Sequence, residues 1–187
     1  FYKKKIKPFK SKYLFLNEKI SQKKSKEEKK VLIAPTWHTN FYELDLHKKF
    51  KKIFDQAGID YILRPHPMSF KKEEISINEL KNNYINFDTN NELDFKKYSH
   101  LITDWSGIFV EYSIINKKFS ILINTKQKIR NINSNKFPEL PIEILARDIL
   151  GNSLEVDNIK DIKKFIYQNN IDEKNIISKF YNENFFN

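Results

Sequence analysis

The chain has 187 residues, of which 40% are hydrophobic and 14% aromatic, enough for one well-buried domain and too few for two ordinary ones. Sixteen Phe and nine Tyr exclude a disordered polymer, and the absence of Cys excludes both a disulfide scaffold and a thiolate metal site. The net charge of +10 is concentrated at one end: residues 1–30 hold twelve Lys against Glu18, Glu27 and Glu28, a net +9, which leaves the other 157 residues at +1.

A nucleic-acid-binding domain carries its basic stripe on the fold itself, so this distribution argues against a specific nucleic-acid partner. Residues 1–30 read instead as a basic arm or linker, with residues 31–187 as the folded domain. The arm has two readings: a solvated linker, or a polybasic segment that touches an anionic membrane surface, where each Lys contributes about 1 kcal/mol. Tyr13, Leu14, Phe15 and Leu16 would add apolar contact with a membrane or with another domain. No apolar run approaches the roughly 18 residues that span a bilayer, and residues 1–12 lack the apolar core of a secretory signal. The chain begins with Phe and is rich in Lys, Ile and Asn. That composition predicts a segment of a longer, cytoplasmic protein.

From Val31 the pattern becomes regular. Val31-Leu32-Ile33-Ala34, stopped by Pro35, predicts a buried parallel strand. Asn40 followed by Glu43 predicts a capping box, and Phe41, Leu44, Phe50, Ile53, Phe54 and Ala57 keep helical spacing until Gly58. His47 falls off the main apolar face of that helix and is expected on the surface. A second strand covers 59–63, a polar helix about 70–82, a third strand 84–87 and a short helix about 92–98. A fourth strand, 100–103, leads through Asp104-Trp105-Ser106-Gly107 into a helix over 108–115, and 119–123 is the fifth. Residues 124–140 read as a polar loop, 142–150 as a helix ended by Gly151, and 153–156 as a further short strand. The last two helices begin near Asp157 and Glu173. Short apolar strands separated by helices require crossovers, so the fold class is α/β, a doubly wound, mostly parallel, Rossmann-like sheet.

In such sheets ligands bind beyond the carboxyl ends of the strands. Three polar clusters fall there: Thr36-Trp37-His38, Arg64-Pro65-His66-Pro67 and Asp104-Trp105-Ser106-Gly107. Ser106-Gly107 opens a helix directly after a strand, where free N–H groups and the helix dipole favour a phosphate. Gly107 would let backbone approach a ligand, and Ser106 would add a hydroxyl. Equally, Asp104 or Ser106 would serve simply as a helix cap. Two prolines stiffen the chain around His66. Arg64 then offers a planar fork to phosphate oxygens, and His66 a hydrogen bond or proton to a departing phosphate. A rigid turn with a structural His is the competing reading. Glu111, one turn into the helix, would accept from a ligand hydroxyl or lie exposed, and His100 is expected to pack locally. No dinucleotide or P-loop fingerprint is present, and without Cys or a His-Glu-X-X-His string a zinc site is not expected.

Taken together, Ala34-Pro35-Thr36-Trp37, Arg64-Pro65-His66-Pro67 and the run from Leu101 to Tyr112 resemble the CDP-glycerol glycerophosphotransferases of teichoic acid and capsule synthesis, over about residues 31–124. The resemblance implies the C-terminal, donor-binding half of a GT-B-type fold. It also implies transfer of glycerol phosphate, or a related polyol phosphate, from a CDP-linked donor to a polymer or lipid-linked acceptor at the inner face of the cell membrane. By the same resemblance His66 is catalytic and meets the pyrophosphate with Arg64. Ser106 and Gly107 hold that group at the helix start, Asp104 orients the loop, Glu111 takes a donor hydroxyl, and Thr36, Trp37 and His38 line the site. No metal ligand and no cofactor are implied. His38 stands where the family usually has Arg, and Trp105 and Gly107 replace the commoner Tyr and Ser. The family's catalytic base belongs to an N-terminal acceptor domain outside this sequence. A glycosyltransferase using a nucleotide sugar and a non-catalytic basic lipid- or nucleic-acid-binding module are the alternatives.

Overall fold

The computed structural model describes residues 14–21, 28–90, 92–127, 141–167 and 172–186. Five strands form one parallel sheet: β1 (Glu28–Ile33), β2 (Tyr61–Leu63), β3 (Tyr98–Thr103), β4 (Ser120–Asn124) and β5 (Gly151–Glu155), in the order β2-β1-β3-β4-β5. The helices are α1 (Leu14–Ser21), α2 (Leu46–Ala57), α3 (Pro67–Lys71), α4 (Ile77–Asn82), α5 (Ile108–Asn116), α6 (Ile142–Leu145), α7 (Arg147–Leu150), α8 (Ile162–Tyr167) and α9 (Glu173–Tyr181).

Strand periodicity explains how the sheet is covered. Val31 and Ile33 point to one side, where they join Tyr61, Leu63, Ile102 and Ile121, while Leu32 and Ala34 point to the other with Leu101 and Leu122. Phe50 and Phe54 of α2, Leu80 of α4 and Ile162 of α8 close the first face; Phe109, Tyr112 and Ile114 of α5, Leu150 of α7 and Ile177 of α9 close the second. Burial on both sides is why the strands read as continuous apolar runs. Gly151 opens β5 where a Cβ would lie 2.3 Å from Leu122 Cδ1, so the strand can approach β4 only with glycine there.

Several local expectations are corrected. Residues 84–87 do not form a strand. Tyr84 takes a positive φ of 53°, and only Phe87 bridges Leu63, through Leu63 N–H to Asn86 O and Asp88 N–H to Leu63 O. The bridge lies on the outer side of β2, so the chain runs in the familiar 3-2-1-4-5-6 order of dinucleotide-binding sheets with its third strand reduced to one contact. Helix α2 begins at Leu46 rather than near Asn40, because Asn40 Oδ1 accepts the distant Lys126 N–H instead of capping. The polar helix near 70–82 is two short helices, α3 and α4, and the 142–150 helix is split between α6 and α7. His47 is buried, 2% exposed, rather than on the surface, and that burial lowers its pKa below the ordinary histidine value.

Within the stretch expected as a basic arm, residues 14–21 are helical. Leu16 is buried in the second cluster, and residues 28–30 belong to β1. Residues 1–13 and 22–27, and most of the loop expected over 124–140, lie outside the described residues. Among the described residues no helix is long and apolar enough to cross a membrane.

Candidate functional site

The strand register brings the three polar clusters to one edge. Ile33 lies level with Leu63 on one side and Ile102 on the other, so the loops after β1, β2 and β3 leave the sheet together. β1 and β3 are spatial neighbours whose crossovers run to opposite faces, which makes the gap between their ends the switch point of the sheet.

Asp104 joins the β1 and β3 loops. It is fully buried; Oδ1 accepts Thr36 N–H at 2.7 Å, and Oδ2 accepts Thr39 Oγ1–H at 2.8 Å and, more weakly, Thr125 Oγ1–H at 3.5 Å. Burial raises its pKa, and the donors around it oppose that shift. Its side chain is therefore turned into the loop framework and does not cap α5. The Thr103 hydroxyl adds a 2.6 Å bond to Ala34 O, a second tie between the same loops.

The β2 loop is fastened to the same framework. Arg64 N–H donates to Ile33 O at 2.7 Å, and the Arg64 guanidinium pairs with Asp88 at 3.0 Å. Asp88 follows the bridge segment, so the Arg64 fork is held from the outer edge of the sheet. His66 is the N-cap of α3, its Nδ1 accepting Met68 N–H at 3.0 Å. A neutral His66 consequently carries its proton on Nε2, the tautomer suited to donating towards a ligand oxygen. The Trp37 ring lies 6.2 Å from the His66 ring and 5.9 Å from that of His38, which brings the β1 and β2 motifs together. His38 is exposed with a left-handed φ of 64°, and its N–H is held by Glu74 Oε1 at 2.6 Å.

On the β3 side, Gly107 is the N-cap of α5 in a right-handed conformation, so its lack of a side chain serves space rather than dihedral freedom. A Cβ there would lie 3.2 Å from Glu143 Cγ, an exposed and movable side chain. Ser106 Oγ accepts Ile108 N–H at 3.5 Å, and Glu111 is half-buried in the first turn of α5. Trp105 accounts for its own departure from the family pattern. Its indole N–H donates to Thr125 O at 2.7 Å, and the Arg147 guanidinium lies 4.0 Å over its ring. Buried Arg147 also donates to Asp104 O at 2.6 Å and Asn124 Oδ1 at 2.8 Å, clamping the β3 loop from below.

A cavity of about 770 Å³ opens beside these loops, walled by His38, Thr39 and Asn40 on one side and Lys72, Glu74 and Lys126 on others. Sequence reasoning missed Thr39, Glu74, Asp88 and Arg147. Only Arg147 left a signal: in a chain whose basic residues are nearly all Lys, both described Arg residues, Arg64 and Arg147, sit at this edge.

These features define a doubly wound α/β domain with a polar crevice at its switch point. Residues 10–124, more than half of the chain, match the CDP-glycerol:poly(glycerophosphate) glycerophosphotransferase family, and the chain belongs to that family of transferases. Among solved structures it is similar to the wall teichoic acid polymerase TagF. A His-to-Asn variant soaked with CDPG for 15 or 30 minutes matches at 19% and 21% identity, each with a TM-score of 0.41. A His-to-Ala variant matches at 17% and 0.43. These matches cover 90–92% of this chain and 40–42% of the other, so the chain spans about two fifths of the length of those proteins. No curated protein matches the chain.

Proposed function

We propose that this chain is the donor-binding portion, the C-terminal half of a GT-B-type enzyme, in a transferase that moves glycerol phosphate, or a related polyol phosphate, from a CDP-linked donor to a cell-surface polymer. The carrying observation is the tying of three strand-end loops into one frame at the switch point. Asp104 bonds the first loop to the third, and the Trp37–His66 contact and the Arg64–Ile33 bond bring in the second.

In the reaction, an acceptor hydroxyl attacks the β-phosphorus of the donor. A new P–O bond forms to the acceptor, the bridging P–O bond breaks, and CMP departs with the charge released. His66 Nε2–H donates to an oxygen of the diphosphate and stabilises that charge as it develops. Ser106 and the first-turn N–H groups of α5 receive the second phosphate. Glu111 and Thr36 orient the donor from either side, Trp37 and His38 cover it, and Arg64 adds positive potential while it stays paired with Asp88. The base that accepts the hydroxyl proton belongs to the remainder of the enzyme. The family membership favours a CDP-alcohol over a nucleotide sugar. The reading places the enzyme at the inner face of the membrane, with the basic residues that precede β1 against anionic lipid.

The test uses the complete protein. His66→Ala is expected to lower turnover about 100-fold, within the usual range for a positioned proton donor, while the fold is kept at a cost of about 0.5–2 kcal/mol for the lost α3 cap. Normal turnover in that variant would remove His66 from the mechanism. A UDP-sugar that binds more tightly than CDP-glycerol or CDP-ribitol would favour the glycosyltransferase reading.

A further inference from the structure

We propose that Asp45, His47 and Glu79 form a binding site for a single divalent transition-metal ion of the zinc class. One ligand atom from each of the three lies within 4.8 Å of the others. They meet where the end of the β1–α2 connection and the start of α2 pass the first turn of α4, apart from the three polar motifs that carry the donor reading, and the proposal does not depend on that reading.

The imidazole is the reason to read these residues as a site rather than a surface ion cluster. The His47 side chain is 1% exposed, and neither ring nitrogen has a hydrogen-bond partner. Nε2 nevertheless lies 3.4 Å from Glu79 Oε1. Zn–N and Zn–O bonds of about 2.1 Å set tetrahedral ligand atoms about 3.4 Å apart, so this pair already has the spacing of two ligands on one ion. Nε2 and Glu79 Oε1 thus approach each other without hydrogen-bond geometry, and a cation between them would give both a partner.

The carboxylates already converge on positive charge. Lys48 Nζ lies 2.7 Å from Asp45 Oδ1 and 3.5 Å from Glu79 Oε1. An ammonium supplies only donors and serves the two carboxylates. The Lys48 side chain is 39% exposed and can swing into solvent, whereas His47 cannot leave its position. One imidazole nitrogen with two carboxylate oxygens is a borderline donor set, suited to Zn²⁺ ahead of Mg²⁺. Three protein ligands leave a coordination position for water.

Occupancy would also change the adjacent cavity. Glu79 forms part of its wall with Glu43, Glu73 and Glu74, against Lys72 and Lys126, an acidic surplus that a divalent ion would offset.

The experiment is titration calorimetry of the chelator-treated chain with Zn²⁺ alone, with thermal unfolding followed in parallel. A single saturable equivalent and a raised unfolding temperature are expected. Glu79→Gln and Asp45→Asn each alter a partly exposed carboxylate and leave the fold intact; each is expected to weaken binding by at least about tenfold. Lys48→Met removes the competing ammonium and is expected to tighten it. No saturable binding up to about 1 mM, in the native chain or in Lys48→Met, overturns the site. Binding left unchanged by both carboxylate variants places the ion elsewhere and overturns the assignment too.

Discussion

Asp104→Ala is the perturbation that most directly probes how the site is framed. The carboxylate accepts one short bond from a buried backbone N–H, one from the Thr39 hydroxyl and a weak third from Thr125. Alanine leaves the two strong donors without a partner inside the protein, at about 1.5–3 kcal/mol each when the acceptor is charged. Against this, the variant no longer buries a carboxylate whose pKa burial has raised, which returns part of the loss. A net cost of about 2–4 kcal/mol is expected, a large share of the roughly 5–15 kcal/mol that holds a domain together. Asp104→Asn should cost only about 1 kcal/mol, because Oδ1 still accepts Thr36 N–H and the Thr39 hydroxyl can turn to accept from the new amide. Urea unfolding followed by circular dichroism measures both, and at this chain length the alanine variant should melt roughly 5–15 °C lower. Equal costs for the two variants, or less than about 1 kcal/mol for alanine, would refute the claim that Asp104 ties the loops.

Three further outcomes follow from the same geometry. Gly151→Ala drives a Cβ into Leu122 and is expected to cost about 1–3 kcal/mol, whereas Gly107→Ala meets only the movable Glu143 side chain and should leave the unfolding midpoint nearly unchanged. Arg147→Lys keeps the charge but loses the planar stack on Trp105 and the paired bonds to Asp104 O and Asn124, at an expected cost of about 2 kcal/mol by chemical denaturation. Burial pushes the Tyr61 hydroxyl up to about 12. The unfolded chain therefore releases that proton first as pH rises, and stability falls between about pH 10 and 12. Tyr61→Phe should make that part of a stability–pH curve shallower, the remaining slope coming from buried Tyr42, whose hydroxyl burial also pushes up, and an unchanged slope would contradict the assignment.

What the sequence disclosed depended on whether the cause was local. The strands ending at Ile33, Leu63 and Thr103 were readable because continuous apolar runs have one use in a sheet covered on both faces. The helix from Glu173 to Tyr181 was readable from its spacing. The three polar motifs were placed at the correct edge by topology alone. The start of α2 was misread because Asn40 is claimed by Lys126, 86 residues away, a contact that no local pattern records. Arg64 looked like an uncommitted phosphate fork because its partner Asp88 arrives from beyond a single-residue bridge. His47 was misjudged for a different reason. It sits three and seven positions before Phe50 and Phe54, on the same helical stripe, so the periodicity contained the answer and the polarity of the side chain hid it. Trp105 stood out as a departure, and its logic lies in Arg147, which belongs to a separate helix.

Both tryptophans of the chain, Trp37 and Trp105, lie on the loops of the proposed donor crevice, so tryptophan emission, excited selectively over tyrosine, reports on those loops. Titration with CDP-glycerol, followed by tryptophan fluorescence, should give a saturable change that His66→Ala and Ser106→Ala each weaken by about tenfold. Emission that stays flat to millimolar donor, or a saturable change indifferent to both substitutions, would contradict the claim that these loops form one nucleotide-diphosphate site.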